Sequence, residues 1–574
     1  MTDAPSAAEG GPRRGRRVGR RPGRIIVGIL LVGLIAAIAF VAAPALTGPV
    51  GPTPTTASGA PHFVEEAVQA GLDQRYEGDF RFAVGGGVAA LDCDQDGKPD
   101  LYLAGGSLPA TLYRNVSLIG GPLRFERLAD PAIELAGVTG AYPIDIDGDG
   151  RVDLVVLRAG ETVLLRGLGD CRFERANERW SVAGGHALAS AFSATWEGSA
   201  TLPTLAFGAY LGLDATGQPT STCGENTLLR PGPAGTRYGT PTILSPGYCA
   251  LSMLFSSWDH SGRRDLRVSN DREFYDAVNG QEQLWRVQPG AAPRLYTDAD
   301  GWVALQIEGM GIASYDLTND GYPEVFLTSQ GPNRLQTLLA GASQPSYRDI
   351  GLKRGVYAET PFAGGDPLPS TAWHPEFADV NNDGFIDLFI SKGNVDAQPG
   401  HATKDPSNLL IGRPDGTFVE GADAAGILDY ARGRGAAQVD FNLDGQLDLV
   451  QLDYHDRVHL WRNVGSGTAA RPEAMGHWIG LRLVQPAPDG DAIGAWVEVR
   501  LGDLTLRREL SVGGGHAGGQ LGWIHFGLGP ATAAEVRVQW PDGVLGPWQH
   551  VAAGGFVVIE RGAAEPRRWV PGGQ

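Results

Sequence analysis

The chain has 574 residues, 42% of them hydrophobic and 20% charged, and carries a net charge of −18 at pH 7. The length exceeds one ordinary core, the apolar content excludes a disordered chain, and the acidic balance argues against a nucleic-acid-binding surface. Glycine, at 83 residues, and proline, at 39, point to many tight turns and an all-β architecture.

Residues 1–24 form a basic segment ending in "PRRGRRVGRRPGR", followed by the uncharged apolar stretch 25–43, "IIVGILLVGLIAAIAFVAA". At about 1.5 Å per residue, a helix of that length comes close to the ~30 Å hydrocarbon core. The arginines hold its leading end in the cytoplasm. The expectation is a single-pass membrane protein whose remainder is extracytoplasmic, in the periplasm or at the cell surface. A signal peptide cleaved at Ala43-Pro44-Ala45 is the alternative, and would give a secreted protein. Residues 44–61, rich in Pro, Thr and Gly, read as a tether. Cys93, Cys171, Cys223 and Cys249 contain no CxxC pair, and four cysteines allow three pairings. Cys223 with Cys249 is favoured because it closes a Pro/Gly-rich loop.

A nine-residue acidic loop then occurs five times: "DCDQDGKPD" from Asp92, "DIDGDGRVD" from Asp145, "DLTNDGYPE" from Asp316, "DVNNDGFID" from Asp379 and "DFNLDGQLD" from Asp440. Side-chain oxygens fall at position 1 (Asp92, Asp145, Asp316, Asp379, Asp440), position 3 (Asp94, Asp147, Thr318, Asn381, Asn442) and position 5 (Asp96, Asp149, Asp320, Asp383, Asp444). Position 9 adds Asp100, Asp153, Glu324, Asp387 and Asp448, and the backbone carbonyls of position 7 (Lys98, Arg151, Tyr322, Phe385, Gln446) complete the set. Alternate oxygens converge on one point while glycine at position 6 permits a sharp bend, which suits calcium with its 6–8 oxygen ligands. The loops hold 17 carboxylates, whose mutual repulsion calls for a cation. About five structural Ca2+ sites are expected. An EF-hand needs glutamate at position 12 and flanking helices. Here position 12 is Leu103, Val156, Leu327, Ile390 or Gln451, and an apolar run typical of a strand follows position 9.

The gap between the loops at Asp145 and Asp316 has room for two degenerate copies. Ser257–Asp265 keeps Asp259, Gly262 and Asp265 at positions 3, 6 and 9, and "WEGSATLPT" from Trp196 keeps no ligands. Seven repeats of about 50–60 residues in an all-β chain indicate propeller blades of four strands. The unit "GGGVAALDCDQDGKPDLYLAGG", followed by "LYRN" and "RFERL", resembles the FG-GAP/VCBS repeat of integrin α propellers and bacterial surface proteins. From His477, "HWIGLRLVQPAPDGDAIGAWVEVRL", "HFGLG" and "EVRVQWPDG" resemble the ASPIC/UnbV domain that follows such propellers in cartilage acidic protein and its bacterial relatives. The resemblance implies a seven-bladed, integrin α-like propeller over 62–470 with calcium in the blade loops. Alternating apolar and polar residues independently make 477–562 a small β-sandwich, with 563–574 a tail.

"GGGHAGG" around His516 lacks the helix and lysine of a phosphate loop and reads as a flexible turn. His455 and His459 read as solvated strand residues rather than a metal pair, and His374 as packing. No HExxH, GxSxG or Walker motif is present, and no catalytic residue is assigned. Two function classes follow. One is a non-enzymatic adhesion or protein-interaction module whose partner is a protein or glycan at the cell envelope. The alternative is an enzyme acting on a carbohydrate or small molecule in the central channel.

Overall fold

A computed structural model describes residues 52–271, 280–396 and 398–572. The basic segment, the apolar stretch and the first part of the tether lie outside the described residues. Among the described residues no helix is long and apolar enough to cross a membrane. The described residues form one compact unit.

The fold is all-β and propeller-like. In chain order, antiparallel strand groups open with Val88–Leu91, Val138–Ile144, Ala187–Thr195, Ala250–Ser256, Gly309–Tyr315, Ala372–Ala378 and Gly433–Val439; the second and third join through Asp153–Gly160 and Ala187–Thr195 into one nine-stranded sheet, the first gains Gly519–Gln520 as a fifth strand, and the other four are four-stranded. These opening strands touch in succession, and the last touches the first. Within each group the nine-residue loop is the turn of the first hairpin, and its ninth residue opens the second strand. The register is the same throughout: Leu91 faces Asp100, Ile144 faces Asp153, Tyr315 faces Glu324, Ala378 faces Asp387 and Val439 faces Asp448. The degenerate copies keep it too, with Thr195 opposite Thr204 and Ser256 opposite Asp265. The loop geometry has therefore outlived its acidic residues. The apolar runs after position 9 are buried, as in "LYL" of 101–103 and "LFI" of 388–390. The last group takes its outer strand from the other end of the chain, since Phe63–Glu65 pairs with His459–Asn463. This closure fastens the first strand of the ring to its last group.

Both cysteine pairs are disulfides, Cys223–Cys249 and Cys93–Cys171. The second ties position 2 of the first acidic loop to a turn of the next group.

Residues 477–569 form two four-stranded sheets around a shared apolar core that includes Ile479, Leu481, Val497, Val499, Phe526 and Val536. Arg567–Trp569 pairs with Phe556–Val558, so the last sheet strand lies within the segment read as a tail.

The run GGGHAGG (513–519), read above as a flexible turn, is instead part of an ordered plug, 512–520, called the rod below, which the C-terminal domain inserts among the opening strands of the ring and which returns to that domain. Main-chain bridges join Val512 to Ala194, Gly513 to Leu254, Gly515 to Ile312 and Gly518 to Ala141, and Gly519 pairs with Ala89. The His516 N–H donates to His374 Nδ1 at 3.1 Å, which reaches a sixth group. His516 is fully buried, and burial, reinforced by Arg434 and His374, pushes its imidazole down to about 3, so it sits neutral against Trp373. Glycine is required by proximity: a Cβ on Gly140 would lie 1.9 Å from the Ala517 carbonyl oxygen. Gly140→Ala should therefore destabilise the protein by about 1–3 kcal/mol, while Gly522→Ala, which meets nothing within 4 Å, should leave the melting temperature unchanged. Thermal melts of the two variants check this.

Candidate metal centres

Each acidic loop is organised by its own main chain. The glycine N–H at position 6 donates to the position-1 carboxylate, from Gly97 to Asp92 (3.1 Å), Gly150 to Asp145 (2.9 Å), Gly321 to Asp316 (3.1 Å), Gly384 to Asp379 (2.7 Å) and Gly445 to Asp440 (2.7 Å). The position-7 N–H donates to the position-5 carboxylate in all five, from Lys98, Arg151, Tyr322, Phe385 and Gln446 at 2.8–3.0 Å. These bonds bend the loop so that φ is positive at position 6 and also at position 4, at Gln95, Gly148, Asn319, Asn382 and Leu443. Asn and Gly suit that conformation. Leucine does not, and nothing in the sequence announced it.

Position 9 ties the loop to the sheet. Asp100 accepts from Cys93 N and Asn115 N, Asp153 from Ile146 N and Gly167 N, Asp387 from Val380 N and Gly412 N, and Asp448 from Phe441 N and Asn463 N, all at 2.7–3.0 Å. Glu324, a methylene longer, accepts from Leu317 N and Thr337 Oγ1. An oxygen that accepts one N–H retains a second lone pair, so position 9 can both fix the strand and face a cation.

The residues present fit a hard divalent cation. Asp92 Oδ1, Asp147 Oδ1 and Asn442 Oδ1 are buried without any hydrogen-bond partner, and each occupies position 1 or 3 of its loop. An unpaired buried oxygen costs about 1–3 kcal/mol unless something coordinates it. Asn442 spends its amide N–H groups on the Gly121 carbonyl and Asp444, which leaves its oxygen for the loop interior. Asp92, Asp94 and Asp96 bring one oxygen each within 4.8 Å of one another, as do Asp145, Asp147 and Asp153. Burial pushes Asp92, Asp145 and Asp383 up to about 6 and Glu324 to about 7, and lifts Asp379, Asp387, Asp440 and Asp448 well above the carboxylate range. A cation is what would keep such groups ionised.

The sequence reading missed the basic side chains that reach these loops. Arg166 binds Asp147 (2.7 Å) and Asp149 (2.5 Å), and Arg507, from the C-terminal domain, binds Asp316 at 3.1 Å. In the degenerate loop, Arg263 at position 7 lies between Asp259 (3.0 Å) and Asp265 (3.3 Å), so a guanidinium stands where the intact loops would hold an ion. Among the described residues, no ion pair reaches the carboxylates of the loops at Asp379 and Asp440.

The C-terminal domain sits on this face. Trp523 Nε1 donates to the Gly97 carbonyl at 2.9 Å, Trp569 lies against Gly97, Trp478 lies against Gly445, and His525 pairs with Asn382 at 2.6 Å. The tether is seated here as well. Ser58 N donates to Asp383 Oδ2 at 2.6 Å, and Asn381 Nδ2 donates to the Gly59 carbonyl at 3.1 Å. From Pro52 onward it is thus packed chain rather than a free spacer.

His455 and His459 do not converge. His455 bonds Glu77 at 2.9 Å, and His459 bonds the buried Asp453 at 2.7 Å. His374 is buried and receives the rod, in keeping with a packing role.

Residues 92–156 and 316–390 match the FG-GAP-like repeat, and residues 485–566 match the ASPIC and UnbV family. Cartilage acidic protein 1 of Homo sapiens is 25% identical over 495 residues, covering 80% of this chain and 69% of that protein. The Mus musculus protein is 25% identical over 493 residues, covering 80% and 71%. The chain is homologous to these proteins. Among solved structures, BBS1N in complex with ARL6DN aligns at a TM-score of 0.40 and 9% identity, over 73% of this chain and 99% of that one. Sqt1 of Saccharomyces cerevisiae aligns at 0.35 and 11%, over 72% and 100%.

If the unpaired loops hold ions, Asp383→Ala and Asp444→Ala should each abolish one high-affinity site in a calcium titration, while Asp259→Ala, whose loop contains Arg263, should abolish none. Equal stoichiometry in all three variants would contradict the assignment.

Proposed function

We propose that this relative of cartilage acidic protein 1 is a membrane-anchored, extracytoplasmic seven-bladed β-propeller, stabilised by calcium in its five intact loops, that serves as an adhesion or protein-interaction module. The observation that carries the reading is the recurrence of one loop geometry with buried, unpartnered oxygens at ligand positions. The two disulfides suit an oxidising compartment outside the cytoplasm. The rod 512–520 favours a module that works through its surface, because the protein's own main chain is inserted among the opening strands, where a channel enzyme would place its substrate.

Calcium acts through folding in this account. An ion that binds the native state at about 100 times its dissociation constant adds roughly 2.7 kcal/mol per site. Chelation of the full chain should therefore lower the melting temperature by several degrees or more, and readdition of calcium, but not magnesium, should restore it. Capture of an envelope protein or glycan should fail in chelator and return with calcium. An unchanged melting temperature would overturn the calcium reading, and calcium-independent capture would separate it from partner binding.

A further inference from the structure

In the last strand group, three side chains of ligand type converge at the end remote from the acidic loop. Asp448, position 9 of the loop at Asp440, opens the strand Asp448–Asp453, and Asp453 closes it. At about 3.3 Å per residue the two strand ends are about 17 Å apart, so Asp453 lies away from the acidic-loop face. His459 opens the neighbouring strand, and Asp429 comes from the connection 426–432 that leads into the group. Asp429, Asp453 and His459 each bring one ligand atom within 4.8 Å of the others.

One proton does not satisfy all three. His459 Nδ1 lies 2.7 Å from Asp453 Oδ2 and 3.4 Å from Asp429 Oδ2. A ring nitrogen carries a single hydrogen, and the shorter contact takes it. Asp429 Oδ2 is left buried without a hydrogen-bond partner. The other oxygens are held from behind. Gln451 Nε2 donates to Asp453 Oδ1 at 2.7 Å, Ser407 Oγ donates to the Gln451 carbonyl at 2.8 Å, and the Tyr430 N–H donates to Asp429 Oδ1 at 2.7 Å. The imidazole is stacked on Trp461, with ring centroids 5.1 Å apart. Outer hydrogen bonds of this kind fix the direction of metal ligands and tune their basicity.

One imidazole with two carboxylates is a donor set of the zinc class, whereas calcium takes six to eight oxygens. A tetrahedral ion about 2.0–2.1 Å from each ligand spaces the ligand atoms about 3.3 Å apart. The Asp429–His459 distance already fits, and the Asp453–His459 contact has to open by about 0.6 Å. Asp453 is fully buried, while Asp429 is partly exposed and gives an ion its entry path.

We infer that Asp429, Asp453 and His459 form a binding site for one zinc-class divalent ion. The inference goes beyond the proposed function and does not rest on it, because none of the three residues belongs to an acidic loop.

Calorimetric titration of the full chain with zinc chloride, in about 1 mM calcium to supply the acidic loops with their own ion, tests it. One zinc should bind with a Kd below about 10 μM, and Co2+ in its place should give a visible d–d absorption. Asp429→Asn, which keeps an acceptor for the Tyr430 N–H, and His459→Gln should each weaken the site at least about tenfold in chains whose circular dichroism matches the wild type. Absence of zinc binding, or wild-type affinity in either variant, would overturn the inference and leave His459 as an imidazolium between two carboxylates. Zinc displaced by about 10 mM calcium would overturn it too, because that would place the ion in the acidic loops.

Discussion

A single carboxylate at the ninth position of each acidic loop holds together what would otherwise be an ordinary hairpin turn. It accepts one N–H from its own loop and, in most of the intact copies, another from the following strand, so loop shape and strand register are set by the same group. Everything on that face depends on it. The position-1 and position-5 carboxylates are then aimed by the main chain of the bend. The degenerate copies show how far this constraint can be relaxed: Asp265 still accepts from Val287 N with Arg263 beside it, and Thr204 keeps the register with no acid at all.

The ordered loops form a floor on which the C-terminal domain rests. Tryptophans cover the bend glycines at Gly97 and Gly445, which works because a residue without a side chain leaves a flat site for an indole. The domain in turn sends 512–520 among the opening strands, where backbone meets backbone too closely for any Cβ at Gly140 or Gly518. Ring and sandwich are therefore coupled twice, once at the loops and once through the rod. Loosening the floor should be felt in the rod.

Much of this was legible in the sequence because the motif is local. Five copies of a nine-residue pattern, each followed by a buried apolar run, specify hairpins and candidate ligand positions without long-range information. Even the degenerate copies could be placed by spacing. What was hidden depends on distant partners. Arg507 is 191 residues from Asp316, and no local pattern signals that it will occupy that loop. The run "GGGHAGG" reads as flexible because glycine alone carries no packing signal, and its order comes entirely from the strands around it. The tether read as solvated for the same reason, although Ser58 and Gly59 are bonded to the loop at Asp379.

The central claim is that ion-organised loops seat the C-terminal domain and, through it, the rod. Amide hydrogen exchange of residues 512–520, measured in the full chain with calcium and with chelator below the melting temperature, tests that coupling most directly. The account predicts strong protection with calcium and faster exchange at Gly513, Gly515 and Gly519 once it is removed. Protection of the rod that is identical in the two conditions, while the acidic loops themselves exchange faster, would contradict it.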